Sequence, residues 1–537
     1  MEESNSYSKI VKDLVDELKG VFNNAGLGGE AGEYKLLTQS FLYKFINDKF
    51  LYEAKKLDNN NDYERIMSMS DDEYDGLIID LGNSSATIKR DDLIETIYSH
   101  QNDEDFSETF DNVLNDIAVD NNDVYSVETS GDSLIRLFDS KLIENNVIDS
   151  SQRNSVAKAI INKLSKIKFD ESIFEAGFDF FSTIFEYMIK DYNKDGGGKY
   201  AEYYTPHSVA KIIAKILIGT DTPENVSVYD PSAGSGTLLM NLASQIGTDR
   251  ATVYSQDISQ KSANLLRLNL ILNGLSHSIK NIVQGNTITN NKHHNKMDYI
   301  VSNPPFKLDF SEWRDSIESL PDFSERFFAG VPNVKKTNKS GMEIYDLFIQ
   351  HILYSLSNDG KAAIVVPTGF LTSTSRINKK IREKIIDNNW LSGVVSMPSQ
   401  IFATTSTSVS VLILDKTRND DDKDILFVDA SRLGTQIRES SNQRTVLSEE
   451  DEKMIIDTFV YRSDVDEFSI NANIQKVKEN NNVLVPGQYF PIRIKFSKLT
   501  PEEFDEKVKD YETKLSDLYK KGEELEKEIL SGLNNFK

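Results

Sequence analysis

Six short apolar runs between residues 226 and 398 constrain this chain more than any other feature. They are "VSVYD" (226–230), "TVYSQD" (252–257), "NIVQG" (281–285), "DYIVSN" (298–303), "AAIVVP" (362–367) and "SGVVSMP" (392–398). Each has strand length, and helical stretches separate them. The stretch "HSVAKIIAKIL", just upstream, sets Val209, Ile212, Ile213, Ile216 and Leu217 on one side of a helix. Strands alternating with helices of this kind predict a parallel, doubly wound sheet with helices on both faces, an α/β fold of Rossmann-like type. A further run, "TSVSVLILDK", follows "SGVVSMP" too closely for a helical crossover. This last strand is therefore expected to run antiparallel.

The flanks read differently. Residues 1–165 are expected to form a helical N-terminal domain. In "YKLLTQSFLYKFINDKFLYEA", Leu37, Phe41, Phe45 and Phe50 lie near a helical stripe that Leu36 and Leu42 widen. Residues 166–435 would hold the sheet and 436–537 a C-terminal region. The glycines of "NKDGGGKY" suggest a hinge or exposed loop. Near the end, Phe504, Val508, Tyr511, Leu515, Leu518, Leu525 and Ile529 recur in steps of four and three, with Gly522 in the missing slot. That spacing predicts a coiled-coil-like helix over about residues 500–533.

Composition excludes several chemistries. The 537 residues contain no cysteine, which removes disulfides, zinc–thiolate sites, iron–sulfur clusters and cysteine nucleophiles, and fits a reducing cytosol. The start "MEESNSYSKI" has neither a basic leader nor an apolar core, so no secretory signal is expected. The apolar runs are far short of a membrane span. A formal net charge of −24 argues against a surface that wraps nucleic acid, though not against a small basic cleft. Residues 101–150 carry 13 Asp or Glu against 2 Lys or Arg, and a solvated surface is the expectation there. Adjacent His293 and His294 lack further ligands at metal spacing, so no metal site is expected and both are read as loop surface.

Two motifs carry chemistry. In "VYDPSAGSGTLL" a strand ends in Asp230, a turn holds Gly234 and Gly236, and a helix begins near Thr237. Glycines let backbone approach a ligand, and a helix N-terminus presents unpaired N–H groups. No Lys-Ser/Thr follows, so this is not a Walker loop, and the third glycine of a dinucleotide fingerprint is missing. A loop that cups a nucleoside-type ligand remains. Asp257, ending the next strand, is the expected ribose partner.

The second motif is "NPPF", Asn303-Pro304-Pro305-Phe306. Paired prolines stiffen an extended backbone and remove two N–H donors. After a strand of a parallel sheet, the motif would face the ligand crevice. The Asn303 amide oxygen and the Pro304 carbonyl could accept the two hydrogens of one amino group, with Phe306 as a stacking face. The alternative is a simple strand-ending turn.

Together with "AEYYTP", and in this order, these motifs resemble the S-adenosylmethionine-dependent amino-methyltransferases of DNA. More closely, the chain is similar to the modification (M) subunits of type I restriction–modification systems. "FIQHILYSLSNDGKAAIVVPTGFL", "IREKIIDNN", "ILFVDASR" and the charged helical tail fall in that family's order, so the resemblance covers nearly the whole chain. It implies adenine N6 methylation in duplex DNA by a bacterial or archaeal cytoplasmic enzyme, with base flipping. It also implies a separate specificity (S) subunit, two M with one S, docked by the tail, and a restriction (R) subunit as a further partner. Ala201, Glu202, Tyr203, Tyr204, Thr205 and Pro206 would line the cofactor pocket with Asp230, Gly234, Ser235, Gly236 and Thr237, and Asp257 would hold the ribose. Related enzymes often carry an acid after the third strand, where this chain has Asn286. Asn303, Pro304, Pro305 and Phe306 would form the target-base site. A stand-alone DNA adenine methyltransferase, a protein or RNA amino-methyltransferase and a non-catalytic cofactor-binding partner are the other readings. The stretch from Lys307 to Gly341 is either a lid with DNA-contacting lysines or an insertion packing its own aromatics.

Overall fold

The computed structural model describes residues 2–29, 31–175, 178–189, 205–335, 337–402, 408–419, 421–439, 442–491 and 500–534. In chain order the strands are β1 (Val127–Thr129), β2 (Leu134–Ile135), β3 (Val226–Asp230), β4 (Ala251–Asp257), β5 (Ile282–Gln284), β6 (Met297–Ser302) and β7 (Leu356–Pro367). They continue with β8 (Leu391–Ser396), β9 (Val409–Asp415), β10 (Asp424–Asp429), β11 (Thr435–Glu439), β12 (Asn442–Val446) and β13 (Ser469–Asn473). All six apolar runs are strands, and "TSVSVLILDK" contains β9.

Eleven strands form one sheet in the order β13-β10-β8-β9-β7-β6-β3-β4-β5-β1-β2. The pairs β5–β4–β3–β6–β7 are all parallel. β9 is antiparallel, as expected, but it is not at an edge: it lies between β7 and β8 and is antiparallel to both. The sheet then continues through β10, parallel to β8, and β13, antiparallel to β10. Val409, Val411, Leu412, Ile413 and Leu414 are all buried, as a strand covered on both faces requires.

Chain order reverses at β3, whose neighbours are β4 on one side and β6 on the other. Crevices open at the carboxyl ends of strands at such a switch point. The Gly-rich turn follows β3 and "NPPF" follows β6, so both motifs leave the sheet side by side at that crevice. The strands are also stitched at their other ends, where Asp298 Oδ2 accepts from the Ser227 N–H at 2.9 Å and its hydroxyl at 2.8 Å.

In the helix Ala31–Leu57, Leu36, Leu37, Phe41, Leu42, Phe45 and Phe50 are buried, as the stripe predicted. The acidic stretch behaves less simply than a solvated surface. It contributes β1, parallel to β5, with β2 antiparallel beside it. Asp111 is buried there, where its carboxylate accepts the Ile143 and Glu144 N–H groups at 2.7 and 3.1 Å. The buried Arg267 guanidinium donates to the carbonyls of Tyr125, Ile135 and Leu137, which ties this segment to the helix Gln260–Leu272.

The chain divides into two units, Met1–Tyr489 and Phe490–Lys537. Among the described residues the second contains one helix, Pro501–Asn534, running unbroken through Gly522. Its Phe504, Val508, Tyr511, Leu515, Leu518, Leu525 and Ile529 are exposed. Among the described residues no helix is long and apolar enough to cross a membrane.

Candidate active site

The loop after β3 is shaped by its glycines. Gly234 and Gly236 have φ of +54° and +83°, which side-chain-bearing residues rarely adopt. Gly236 also has no room for a side chain, since a Cβ there would sit 2.3 Å from Leu266 Cδ1. The helix Thr237–Ile246 starts immediately after it. The Gly234 N–H donates to Asp257 Oδ2 and the Ser259 N–H to Asp257 Oδ1, both at 2.9 Å. Burial raises the Asp257 carboxyl above its ordinary range, and these two N–H groups offset part of that. The Thr287 hydroxyl ties down the start of the loop by donating to the Pro231 carbonyl at 2.7 Å.

A cavity of about 260 Å³ opens at this edge. Gly234, Ser235, Asp257, Asn286 and Pro305 line it together, bringing the cofactor residues and one "NPPF" proline to a single space. Asn286 Oδ1 accepts the Ile288 N–H at 3.0 Å, so its own amide N–H groups are what it can offer a ligand. An adjoining gap is lined by Thr205, Asp230, Ser235, Thr237 and Asn303. Gly236 supports the loop from behind, Pro206 precedes the helix His207–Ile218, and Phe306 meets Tyr345 edge-on at 6.5 Å. Ala201, Glu202, Tyr203 and Tyr204, like the "DGGG" turn, lie outside the described residues.

Two contacts lock the motifs to each other. Asp230 is 1 % exposed, and its Oδ1 accepts the Ser232 N–H and the Ser302 hydroxyl, both at 2.9 Å. Burial pushes its carboxyl up to about 7 despite those bonds. Ser302 precedes Asn303, so Asp230 acts as a clamp between the Gly loop and "NPPF". Asn303 Nδ2 in turn donates to Thr205 Oγ1 at 3.2 Å. That bond orients the amide and leaves Asn303 Oδ1 without a protein donor among the described residues.

The segment Lys307–Gly341 is an insertion with its own core. Phe310, Ile317, Phe327 and Val331 are buried with Ile288, Met342 and Phe348. Its edge nonetheless reaches the cavity, where Leu308 and Trp313 form part of the wall with Ile258, Ile344 and Phe348. The motifs did not flag these apolar residues; the aromatic content of the insertion was their only signal. Arg326, fully buried, donates to the Thr287 and Ile288 carbonyls and, at 2.9 Å, to His351 Nδ1. It thus braces the turn that carries Asn286. His351 Nε2 meets the Tyr229 hydroxyl at 3.0 Å. His294 is exposed, but His293 is not loop surface: it packs edge-on against Tyr229 and Tyr254, and burial lowers its pKa. Among the described residues no cluster of His, Asp or Glu could hold a metal.

A largely parallel sheet with an antiparallel strand inserted between β7 and β8, a glycine turn after β3 and a crevice at the switch point define a Rossmann-like methyltransferase fold. The chain belongs to the N-6 DNA methylase family, whose model matches residues 176–494. Its relatives include type I methylase subunits. It is 26 % identical to the type I restriction enzyme MpnII methylase subunit of Mycoplasma pneumoniae, over 96 % of each chain. It is 31 % identical to the MjaIX methylase subunit of Methanocaldococcus jannaschii, over 70 % of this chain and 66 % of that one. Among solved structures, the methyltransferase subunit of a type I restriction–modification system from Streptococcus thermophilus shares the fold. The TM-score is 0.68 at 22 % identity, over 91 % of this chain and 100 % of that one.

Proposed function

We propose that this chain transfers a methyl group from S-adenosylmethionine to the N6 amino group of adenine in duplex DNA, as the methylase subunit of a type I restriction–modification complex. The observation that carries the reading is the Asn303 amide, oriented by Thr205 with its Oδ1 unpaired among the described residues, in a gap that adjoins the cavity lined by Asp257 and Pro305.

The residues present fit the cofactor. Asp257 keeps acceptor capacity for a ribose hydroxyl, since a carboxylate has about four acceptor sites and the Gly234 and Ser259 N–H groups and the Ser262 side chain take three. Asn286 offers amide donors to a purine, and the apolar wall of Ile258, Leu308 and Trp313 suits a flat ring. When bound, S-adenosylmethionine supplies an electrophilic sulfonium methyl. The chain's own task is to make a poor nucleophile competent. Asn303 Oδ1 and the Pro304 carbonyl accept the two amine hydrogens, which draws the nitrogen lone pair out of the adenine ring. The same oxygens stabilise the positive charge that grows on nitrogen during attack. Clamping by Asp230 and Thr205 means these acceptors need little rearrangement as charge develops. The base must leave the helix to reach them, and Phe306 replaces part of its lost stacking.

Sequence specificity would come from a separate subunit, and the exposed apolar row of the helix Pro501–Asn534 would dock on that subunit's helices. We place two copies of this chain with one specificity subunit, a restriction subunit as a further partner, and the complex in the cytoplasm. The net charge of −24 favours this division of labour. Asn303→Ala should abolish methylation while cofactor affinity, read by calorimetry, stays within about twofold. Lost cofactor binding would instead make "NPPF" structural. Adenine methylation of genomic DNA should require co-expression with the specificity subunit; methylation of a defined site by this chain alone would refute the assignment to a type I complex.

A further inference from the structure

The strand beside β6 on the side away from β3 is β7, and its carboxyl end leads into residues 368–375 and the helix Arg376–Asp387. Three rings mark how near this lies to the target-base motif. Phe306 meets Tyr345 edge-on at 6.5 Å, and Tyr345 meets Phe370 edge-on at 6.1 Å. Residues 368–387 carry five Lys or Arg against two acids, Glu383 and Asp387, in a chain whose net charge is −24. One of the five, Arg382, is buried, and its guanidinium donates to the carbonyls of Phe370 at 2.6 Å, Ser373 at 2.7 Å and Asn482 at 3.0 Å. That anchor fixes the loop, while Ile381, Ile385 and Ile386 bury the opposite face of the helix. Thr372, Thr374, Ser375, Arg376 and Lys379 are left exposed, with Lys380 half-buried. Among the described residues Arg376 and Lys380 have no ion-pair partner, and Lys379 meets only Glu383, at 3.8 Å.

We propose that this rim, formed by Thr372, Thr374, Arg376, Lys379 and Lys380, holds the phosphate backbone of the DNA strand whose base enters the "NPPF" site. The inference rests on the proposed DNA reaction and adds the surface of this chain that grips the duplex. A flipped nucleotide carries its flanking phosphates to the mouth of the base pocket, so cations and hydroxyls are needed beside that mouth. A rigid loop can supply them without ordering cost. An acidic subunit that relies on its partner for sequence recognition still needs this local hold on the strand it methylates.

The test is R376A/K379A/K380A in the full complex with the specificity subunit. The affinity for a duplex holding the recognised site is measured across a salt series, beside methylation kinetics. The slope of log affinity against log salt should fall by about 0.9 for each phosphate that the variant no longer neutralises. KM for DNA should rise, while kcat at saturating DNA and cofactor affinity stay unchanged. An unaltered slope overturns the proposal. So does failure of the variant to assemble with its partner subunits, which would mark the rim as a protein-docking face. If the triple variant does not melt cooperatively, Arg376→Ala alone should still lower the slope by about 0.9. A wild-type complex that binds the duplex but leaves adenine unmethylated refutes the parent reading, whatever the salt slope shows.

Discussion

Gly236→Ala tests how the cofactor loop is held. The new methyl group meets two penalties. An alanine held at φ +83° is in left-handed backbone, at a cost of about 1–2 kcal/mol. Its Cβ would also lie 2.3 Å from Leu266 Cδ1, far inside van der Waals contact, and overpacking of this kind costs about 1–3 kcal/mol. The sum, about 2–5 kcal/mol, corresponds to a melting temperature lower by about 2–5 °C for a unit of this size. Scanning calorimetry reads that shift, and titration with S-adenosylmethionine should show weakened binding as the loop moves. The two penalties separate in a double-mutant cycle. Leu266→Ala removes the obstacle but not the backbone strain, and alone costs about 2–5 kcal/mol because Leu266 is buried. Combined with Gly236→Ala it should cost less than the sum by about 1–3 kcal/mol. Strict additivity, or a Gly236→Ala protein that melts with the wild type, would refute the claim that the loop is wedged against this helix.

Thr205→Val keeps shape but leaves Asn303 Nδ2 without its acceptor; kcat should fall about 2- to 12-fold, the equivalent of one hydrogen bond, with Thr205→Ser close to wild type. Asp230 has a folded-state pKa near 7, above its unfolded value, so the native state keeps that proton longer and stability contributed by it is lost as pH rises from about 4 to about 7. Asp230→Asn removes this dependence, and by urea unfolding it should gain about 2–3 kcal/mol on the wild type between pH 5 and pH 8; parallel curves would count against it. Deleting residues from Thr500 onward should leave the melting of the unit Met1–Tyr489 within about 1 °C and abolish co-purification of the specificity subunit; a retained partner would move the docking surface elsewhere.

The strands, the place of both motifs and the antiparallel β9 were legible because each depends on local apolar pattern and on short spacing. What was not legible depends on pairings between distant residues. The Asp230–Ser302 bond spans 72 positions and Asn303–Thr205 spans 98, and no periodicity announces either. β1 and β2, three and two residues long, are too short to show alternation within so acidic a stretch. His293 looked like loop surface because its neighbours are polar, yet the fold turns that one ring between two tyrosines. Trp313 was visible as an aromatic within an insertion, but only the folded insertion shows that its edge borders the cavity.

The interior position of β9 bears on how the chain is made. β7 and β8 never pair with each other; the strand that joins them is synthesised after both. Until residue 415 has left the ribosome, a nascent chain carries two unsatisfied strand edges, rich in valine and isoleucine, that no earlier segment can cover. A chain ending at residue 408 should therefore aggregate through those edges, whereas one ending at residue 489 should remain monomeric. The antiparallel strand thus sets the moment in translation at which β7 and β8 are joined, and any pause before it lengthens the exposure of their facing edges.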